Sequence, residues 1–141
     1  MMIRYLAFTV ADLALAIPVD QVAEVVPVPP ITRIPRPARH IEGLATLRGR
    51  AIPIMDLRKR LGLVNPETGS LTRMIVALPG GRDEPLGLIV DSVGEILSVA
   101  GAESPSGDPA PGFDEGLLSG ALEVQGRRVF LPDLKRMMGG P

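Results

Sequence analysis

The sequence has no cysteine, no tryptophan and a single histidine, and aromatic residues make up only 3% of its 141 residues. Without cysteine there is no thiol nucleophile, no thiolate-bound zinc and no disulfide framework. The one histidine, His40, lies in a proline- and arginine-rich stretch, so we interpret it as a surface side chain and not as a catalytic base or metal ligand. These absences favour a protein that is not an enzyme and needs no cofactor or metal.

No charge of one sign dominates the chain, because 15 lysines and arginines stand against 16 aspartates and glutamates, for a net charge of −1. Such a chain has no overall field that would hold nucleic acid or an anionic membrane. The longest apolar runs, such as residues 13–19, are too short to cross a bilayer, and the N-terminal residues lack the features of a signal peptide. We expect a single cytoplasmic domain, residues 1–141, with no direct membrane insertion.

Glycine and proline are abundant, with 16 and 15 residues, and they separate short apolar runs. The runs have the length and alternation of β-strands. Two short helices are also predicted, at 57–61 after a capping Asp56 and at 134–138 after a capping Asp133. The ten predicted strands are 4–10, 13–17, 23–28, 44–47, 51–55, 73–78, 86–90, 94–99, 117–124 and 127–131. This pattern predicts an all-β fold of barrels or a sandwich.

An internal repeat divides the chain. Gly43, Gly49, the run 56–59 and Gly62 recur 77 residues later as Gly120, Gly126, the run 133–136 and Gly139, and residues 19–25 match 90–96 at an offset of 71. The extra residues fall in the stretch 101–116, which is rich in proline and glycine. The repeat predicts two halves, about 1–65 and 66–141, each a five-stranded unit closed by a short helix, with strand exchange between the halves allowed.

These residues also carry a family resemblance. Residues 22–25 (VAEV), 32–34 (TRI), Gly43, 47–49 (LRG), 53–54 (PI) and 56–58 (DLR) resemble the CheW-like domain of bacterial chemotaxis, as do 87–93 (GLIVDSV) and 118–120 (LSG). The resemblance covers nearly the whole chain. It implies two five-stranded SH3-like barrels packed around a shared apolar seam.

The resemblance also implies a function. The chain would be a non-catalytic adaptor that couples the cytoplasmic tips of chemoreceptors to the regulatory domain of a CheA-type histidine kinase, with array or ring assembly allowed. A receptor helix would lie in the groove between the barrels. The residues that the resemblance implies for receptor binding are Val22, Glu24, Gly43, Arg48, Val93 and Ile96.

Three positions depart from the family pattern. Thr46 stands where asparagine is usual before Leu-Arg-Gly, Pro132 interrupts the last strand, and the 101–116 loop is short. In the family this loop can take part in array contacts, so the resemblance does not predict which lateral contacts this chain makes.

Two predicted site features have alternative interpretations. Arg48 either contacts a partner carboxylate or pairs with Glu24 or Glu95 and holds the barrels together. Val22 and Val93, which are equivalent in the repeat, either line the groove or are ordinary core valines. Substitution of either valine by lysine tests the choice, because a core valine would not tolerate the change.

Two other functions compete with the adaptor. A small β-barrel that binds nucleic acid would need exposed aromatics beside basic residues, and residues 33–60 do hold eight lysines and arginines against Glu42 and Asp56. Residues 83–123 hold nine acidic residues and no basic one, so the two segments favour oriented protein contacts, including head-to-tail association. A hydrolase built on a carboxylate dyad, Asp20 with Asp91, is less favoured, because both aspartates end apolar runs where turns form.

Overall fold

The computed structural model describes residues 2–35, 40–100 and 117–139, and these ranges contain ten strands and two short helices. The ten strands predicted from the apolar runs are confirmed, each within two residues at either end. The elements are β1 (Met2–Val10), β2 (Leu13–Pro18), β3 (Val22–Val26), β4 (Gly43–Leu47), β5 (Arg50–Asp56), α1 (Leu57–Arg60), β6 (Arg73–Ala77), β7 (Leu86–Val90), β8 (Ser92–Ala100), β9 (Leu118–Val124), β10 (Arg127–Pro132) and α2 (Leu134–Gly139).

The strands form two five-stranded sheets, which we call barrel one and barrel two. Barrel one has the strand order β8-β1-β2-β10-β9, and barrel two has the order β3-β6-β7-β5-β4. The two orders become identical when β1 is matched with β6, β2 with β7, β3 with β8, β4 with β9 and β5 with β10. The repeat read from the sequence is therefore a structural repeat.

Register irregularities repeat as well. The β1–β8 pairing shifts between Leu6 and Phe8, and the β3–β6 pairing shifts between Val22 and Glu24. Phe8 pairs with Val93 and Ala77 pairs with Val22, so the two bulges occupy equivalent places. A bulge adds one residue to one strand and bends it, so each sheet is bent at the equivalent point of the repeat.

The barrels do not follow the sequence halves 1–65 and 66–141. Barrel two uses β3 to β7, a continuous stretch of chain, whereas barrel one combines β1 and β2 with β8 to β10. The chain therefore passes between the barrels twice, at the 3₁₀ turn Val19–Gln21 and at Asp91. The two repeats therefore exchange strands. The β1–β2 hairpin of the first repeat pairs with β8 and β10 of the second, and the β6–β7 hairpin of the second repeat pairs with β3 and β5 of the first.

Backbone hydrogen bonds close barrel two. Its edge strands are β3 and β4, and the chain after β3 returns so that Thr32 and Leu44 exchange two bonds, with N–O distances of 2.8 and 2.9 Å. The predicted helix caps are confirmed: the amide of Arg58 donates to Asp56 Oδ1 and the amide of Arg136 donates to Asp133 Oδ1, each at 3.1 Å. Each cap satisfies a backbone donor that the first helical turn leaves unpaired.

Apolar packing occurs in three clusters. One fills barrel one (Tyr5, Ala16, Leu97, Val99, Leu122, Val129 and Leu131), and one fills barrel two (Ala45, Ile52, Ile54, Met74, Val76 and Ile89). The largest, which we call the seam cluster, draws residues from both barrels and both helices, among them Leu6, Phe8, Leu15, Leu57, Ile75, Leu88, Phe130 and Met137. This shared cluster confirms two barrels packed around an apolar seam.

The departures from the family pattern fall in different places. Pro132 ends β10 at a register shift opposite Leu118, and Thr46 is exposed on β4 opposite Ala51. The 101–116 loop lies outside the described residues. Within the described ranges, no helix is long and apolar enough to cross a membrane.

Candidate functional site

A shallow depression of about 260 Å³ lies at one end of barrel two. Its apolar lining comes from strands and loops of that barrel and consists of Ala23, Leu47, Ile52, Val76, Leu78 and Pro85. Two ion pairs stand beside this lining, Glu24 with Arg48 and Arg50 with Asp83. Apolar surface edged by charged groups is typical of a protein-contact surface, since the lining supplies burial and the charges fix orientation.

Arg48 is placed by a tight hairpin turn. Gly49-Arg50, between the predicted strands 44–47 and 51–55, is the turn that the sequence indicates. In the structure the turn lies one residue earlier, at Arg48 and Gly49, both left-handed with φ of 52° and 78°. Left-handed φ at both central positions matches a two-residue hairpin of type I′, whose twist suits the strands on either side. The turn projects the Arg48 side chain beyond the sheet, and 75% of it is exposed.

The guanidinium of Arg48 binds Glu24 with two parallel hydrogen bonds. Nε donates to Oε2 at 3.0 Å and Nη2 donates to Oε1 at 2.9 Å. The hydrogen bond from Arg48 lowers the pKa of Glu24 and in turn raises the pKa of Arg48. Of the two predicted carboxylates, Glu24 is therefore the partner. Both residues belong to barrel two, so the pair ties the β4–β5 turn to β3 and does not join the barrels.

Val22 and Val93 lie at the seam between the barrels. Both are half-buried, and both pack against the seam cluster. Their neighbours three residues on, Val25 and Ile96, are more open, with 38% and 52% of each residue exposed. The valines thus contribute to the core and to its surface, while Ile96 presents an apolar side chain outward.

Gly43 is buried where barrel two closes. A Cβ at this position would lie 2.3 Å from the backbone oxygen of Thr32, far inside contact distance. Gly43 therefore permits the close approach of Thr32 and β4. The six predicted site residues are not gathered at one place: Glu24 and Arg48 flank the depression, Val22 and Val93 lie at the seam, Ile96 is exposed on β8 and Gly43 is internal.

A buried ion pair was not foreseen from the sequence. Arg58 is only 2% exposed, and its Nε and Nη2 donate to the two carboxylate oxygens of Asp56, both at 3.0 Å. Because Asp56 accepts these hydrogen bonds, the pKa of Arg58 is raised. The available signal was the Asp-Leu-Arg run between buried leucines Leu57 and Leu61, in which a helix cap and an arginine two residues later share one face.

The basic segment 33–60 and the acidic segment 83–123 meet within one chain. Arg50 pairs with Asp83, and Arg58 contacts Asp91, because β5 and α1 adjoin the β6–β7 connection and the end of β7. Lys59 pairs with Glu42 and Arg48 with Glu24. These cations have intramolecular partners, and two of them, Arg50 and Arg58, contact the acidic segment of the same chain. Part of each segment lies outside the described residues.

The described residues do not favour the two rival functions. Tyr5, Phe8 and Phe130 are buried, so these three rings cannot stack on bases, and Phe113 lies outside the described residues. Asp91 uses its carboxylate on Arg58 and on the amide of Ala11, whereas Asp20 lies exposed at the other passage between barrels. The two aspartates therefore do not form a dyad.

Comparison with known proteins agrees with this architecture. A family model described as the CheW-like domain matches residues 4–140. The chain belongs to the CheW-like domain family. It is 30% identical over 130 residues to the chemotaxis protein CheW of Rhizobium meliloti (strain 1021), covering 92% of this chain and 83% of that protein. It is 29% identical over 133 residues to the chemotaxis protein CheW of Thermotoga maritima, covering 94% and 85%.

A solved structure has the same fold. The crystal structure of scaffolding protein TtCheW from Thermoanaerobacter tengcongensis superposes with a TM-score of 0.85 at 28% identity, covering 97% of this chain and 92% of that one. As a CheW-like domain along nearly its whole length, the chain is a coupling adaptor of the chemotaxis type.

Proposed function

We propose that this adaptor couples the cytoplasmic tip of a chemoreceptor to the regulatory domain of a CheA-type histidine kinase, in the cytoplasm and without catalysis of its own. The observation that carries the proposal is the family match over residues 4–140, joined to a fold with two equivalent barrels. Two barrels give one chain separate surfaces for two partners. A conformational change in the receptor then reaches the kinase through simultaneous contact with both.

The receptor contact is proposed at the seam. A receptor helix lying between the barrels would cover Val22 and Val93, whose side chains are half-buried, together with the exposed Ile96. An amphipathic helix laid in an apolar groove gains most of its affinity from a few such anchors. Because Ile96 is 52% exposed, it is the apolar residue of this group that a partner can bury most.

Arg48 and Glu24 are proposed to fix the register of that contact. The Arg48 guanidinium already holds the Glu24 carboxylate, but its side chain stays 75% exposed and keeps donors for a partner carboxylate or helix-end carbonyls. Arg48→Lys should bind receptor more weakly, since an ammonium cannot reproduce a planar two-point contact. Arg48→Glu should nearly abolish receptor coupling and leave kinase affinity and Tm near wild type.

The test of the seam is receptor-tip binding by Ile96→Lys. Loss of one apolar anchor should weaken binding by about tenfold or more. Val64→Lys is the matched control, because Val64 is 85% exposed on the loop after α1. Equal receptor affinity in the two variants, each with a wild-type unfolding midpoint, would place the receptor elsewhere.

A charge swap separates the two interpretations of Arg48. If Arg48 acts only through Glu24, Glu24→Arg combined with Arg48→Glu restores the internal pair and receptor binding together. If Arg48 contacts the receptor, the double variant refolds normally but still fails to bind. The second result is expected, and kinase-domain binding measured in parallel shows whether the rest of the adaptor is intact.

A further inference from the structure

The two passages between the barrels are equivalent in the repeat but are built differently. The first passage is the turn Val19–Gln21, and the second is Asp91, which the repeat matches with Asp20. These are the covalent links between the barrels within the described part of the chain. The side-chain contacts at each link add to the restraint that the seam cluster, and the 3.0 Å hydrogen bond from Arg60 Nε to the backbone oxygen of Met137, already place on the barrels.

At the second passage, Asp91 contacts both barrels. Its Oδ2 accepts a hydrogen bond from the amide of Ala11, in the β1–β2 turn of barrel one, at 2.7 Å. Its Oδ1 lies 3.5 Å from Nη1 of Arg58, at the start of α1 beside barrel two. The backbone amide of Asp91 also donates to the oxygen of Thr9 at 3.0 Å.

Arg58 is itself held rigidly. Besides its two bonds to Asp56, Nη1 donates to the backbone oxygen of Glu67 at 2.8 Å. Charge-assisted hydrogen bonds of a guanidinium are strong and directional, and burial strengthens them. A continuous polar chain thus runs from Asp56 through Arg58 and Asp91 to Ala11. We call it the pin.

The first passage has the equivalent positions without the contacts. In the sequence repeat, Asp20 is equivalent to Asp91, Lys135 to Arg58 and Asp133 to Asp56. The strand registers make Gly80 equivalent to Ala11, because Phe8 pairs with Val93 as Ala77 pairs with Val22. Both Gly80 and Ala11 are left-handed, with φ of 69° and 53°. Asp20 and Lys135 are exposed, and neither side chain forms a hydrogen bond or ion pair with another described residue.

Packing explains why the first passage is unpinned. The Lys135 side chain lies over Gly80, where its Cε and Nζ would be 3.0 and 3.4 Å from an added Cβ. An ammonium also lacks the fork that lets Arg58 bind Asp56 and Asp91 together. The passage keeps one backbone bond, from the amide of Leu78 to the oxygen of Gln21 at 2.8 Å, and a small cleft opens beside it, lined by Gly80, Ser119 and Lys135.

We propose that Asp91 is a pivot and the Val19–Gln21 passage a hinge, so that the barrels move relative to each other by opening at the first passage. Motion of this kind changes the width of the seam on one side only. The pivot and the hinge are properties of the chain without partners, and their absence would leave the proposed receptor and kinase contacts unaffected.

The test is amide hydrogen exchange of the full chain by NMR, with Asp91→Ala and the matched control Asp20→Ala. We expect a larger protection factor at Ala11 than at Gly80 in the wild-type chain. Loss of a charge-assisted acceptor should lower the protection of Ala11 by about tenfold in Asp91→Ala. Asp20→Ala should leave the protection of Gly80 within about twofold of wild type, since Asp20 holds nothing there.

A second measurement follows the barrels themselves. Spin labels at Thr46 of barrel two and Ser98 of barrel one, both exposed, report the distribution of distances between the barrels. Asp91→Ala should broaden this distribution, and Asp20→Ala should not. If Asp91→Ala does not fold, Asp91→Asn keeps its size and removes only the charge that faces Arg58.

Two results would overturn the proposal. One is an equal loss of protection, or equal broadening, in the Asp20 and Asp91 variants, which would make the passages alike. The other is a folded Asp91 variant with the wild-type distance distribution and wild-type exchange at Ala11, which would mean that the pin does not restrain the barrels.

Discussion

Two arginines in this chain have the same bidentate geometry and different roles. Arg48 and Arg58 each bind a carboxylate through Nε and Nη2, yet one is 75% exposed and the other 2%. An exposed pair is screened by water and salt and contributes little to stability. A buried pair must stay intact, because removal of one member leaves the other charge without compensation.

The buried arginine supports a stability prediction. Arg58→Ala leaves Asp56 buried without its partner and Asp91 without its cation, so unfolding free energy should fall by about 3 kcal/mol. Lys135→Ala, at the equivalent exposed position, should change it by less than about 0.5 kcal/mol. Urea unfolding of both variants measures the difference, and similar losses in the two would show that the Arg58 pair is not a buried structural contact.

The exposed pair supports a pH prediction. Arg48 lowers the pKa of Glu24, so the folded carboxyl titrates below the unfolded one. The stabilisation from the pair is therefore complete above the unfolded pKa and is lost as the pH falls through the folded pKa. In Arg48→Gln the Glu24 carboxyl should titrate at higher pH than in wild type, as followed by NMR. Arg50→Gln, which removes the ion pair with Asp83 beside the depression, should leave the pKa of Glu24 unchanged.

At the scale of elements, tight backbone approaches decide where glycine is required. Gly43 lies where the chain after β3 meets β4, and a Cβ there would sit 2.3 Å from the Thr32 oxygen. Gly94 lies in the bulged part of β8, where an added Cβ would be 3.6 Å from the oxygen of Ala7, an ordinary contact. Both glycines lie in strands, but only Gly43 has no room for a side chain.

This difference gives a paired prediction. Gly43→Ala should cost about 1–3 kcal/mol of unfolding free energy, because the strand and the Thr32 segment must separate. Gly94→Ala should be neutral or slightly stabilising, since alanine restricts the unfolded chain without a clash. Thermal or urea unfolding compares the two. A tolerated Gly43→Ala would mean that barrel two closes with more room than the Thr32–Leu44 bridge shows.

Sequence periodicity located all ten strands and both helix caps, because alternation and capping are local signals. The predicted position of the β4–β5 turn was wrong by one residue. The reason is that Arg48 has a left-handed φ, which is uncommon for arginine. Pairing between distant strands could not be read locally, and the sheets proved to combine strands from both halves. The burial of Arg58 is not a local signal, because Arg58 contacts Glu67, nine residues away in an irregular loop, and Asp91, 33 residues away on another strand end.

At the scale of the whole molecule, the barrels share one core. The seam cluster takes Phe8, Leu15 and Phe130 from barrel one and Ile75 and Leu88 from barrel two. Either barrel alone would expose its side of that cluster to water. Units of about 70 residues are already marginal in the surface they can bury.

We therefore expect residues 19–91, the continuous stretch that holds barrel two, not to fold alone. Circular dichroism of this fragment should show no cooperative thermal transition, whereas the full chain should unfold in a single transition. As a positive control, the remaining segments are added as peptides. Recovery of a cooperative transition would show that the fragment can fold when barrel one is supplied. A fragment with its own sharp transition would show that the seam is an interface between independent domains.

Assembly into rings or arrays stays a prediction at this scale. If head-to-tail contact between charged segments drives association, it should weaken steadily as ionic strength rises. The intramolecular pairs of Arg48, Arg50, Arg58 and Lys59 leave fewer charges for such contacts. Sedimentation at low and high salt measures the electrostatic share, and identical association at both would assign self-association to apolar contact.

Along the chain, the strands of barrel two lie between the two segments that form barrel one. This arrangement sets the order in which the strands are synthesised. The β1–β2 hairpin leaves the ribosome first, but its neighbours β8 and β10 follow only after the five strands of barrel two. Pairs such as Met2 with Ala100 close loops of nearly a hundred residues, and distant pairings of this kind form slowly. The nascent chain therefore carries an apolar hairpin without its partners through most of translation. We expect this interval to be the one in which the exposed apolar surface favours aggregation and chaperone binding.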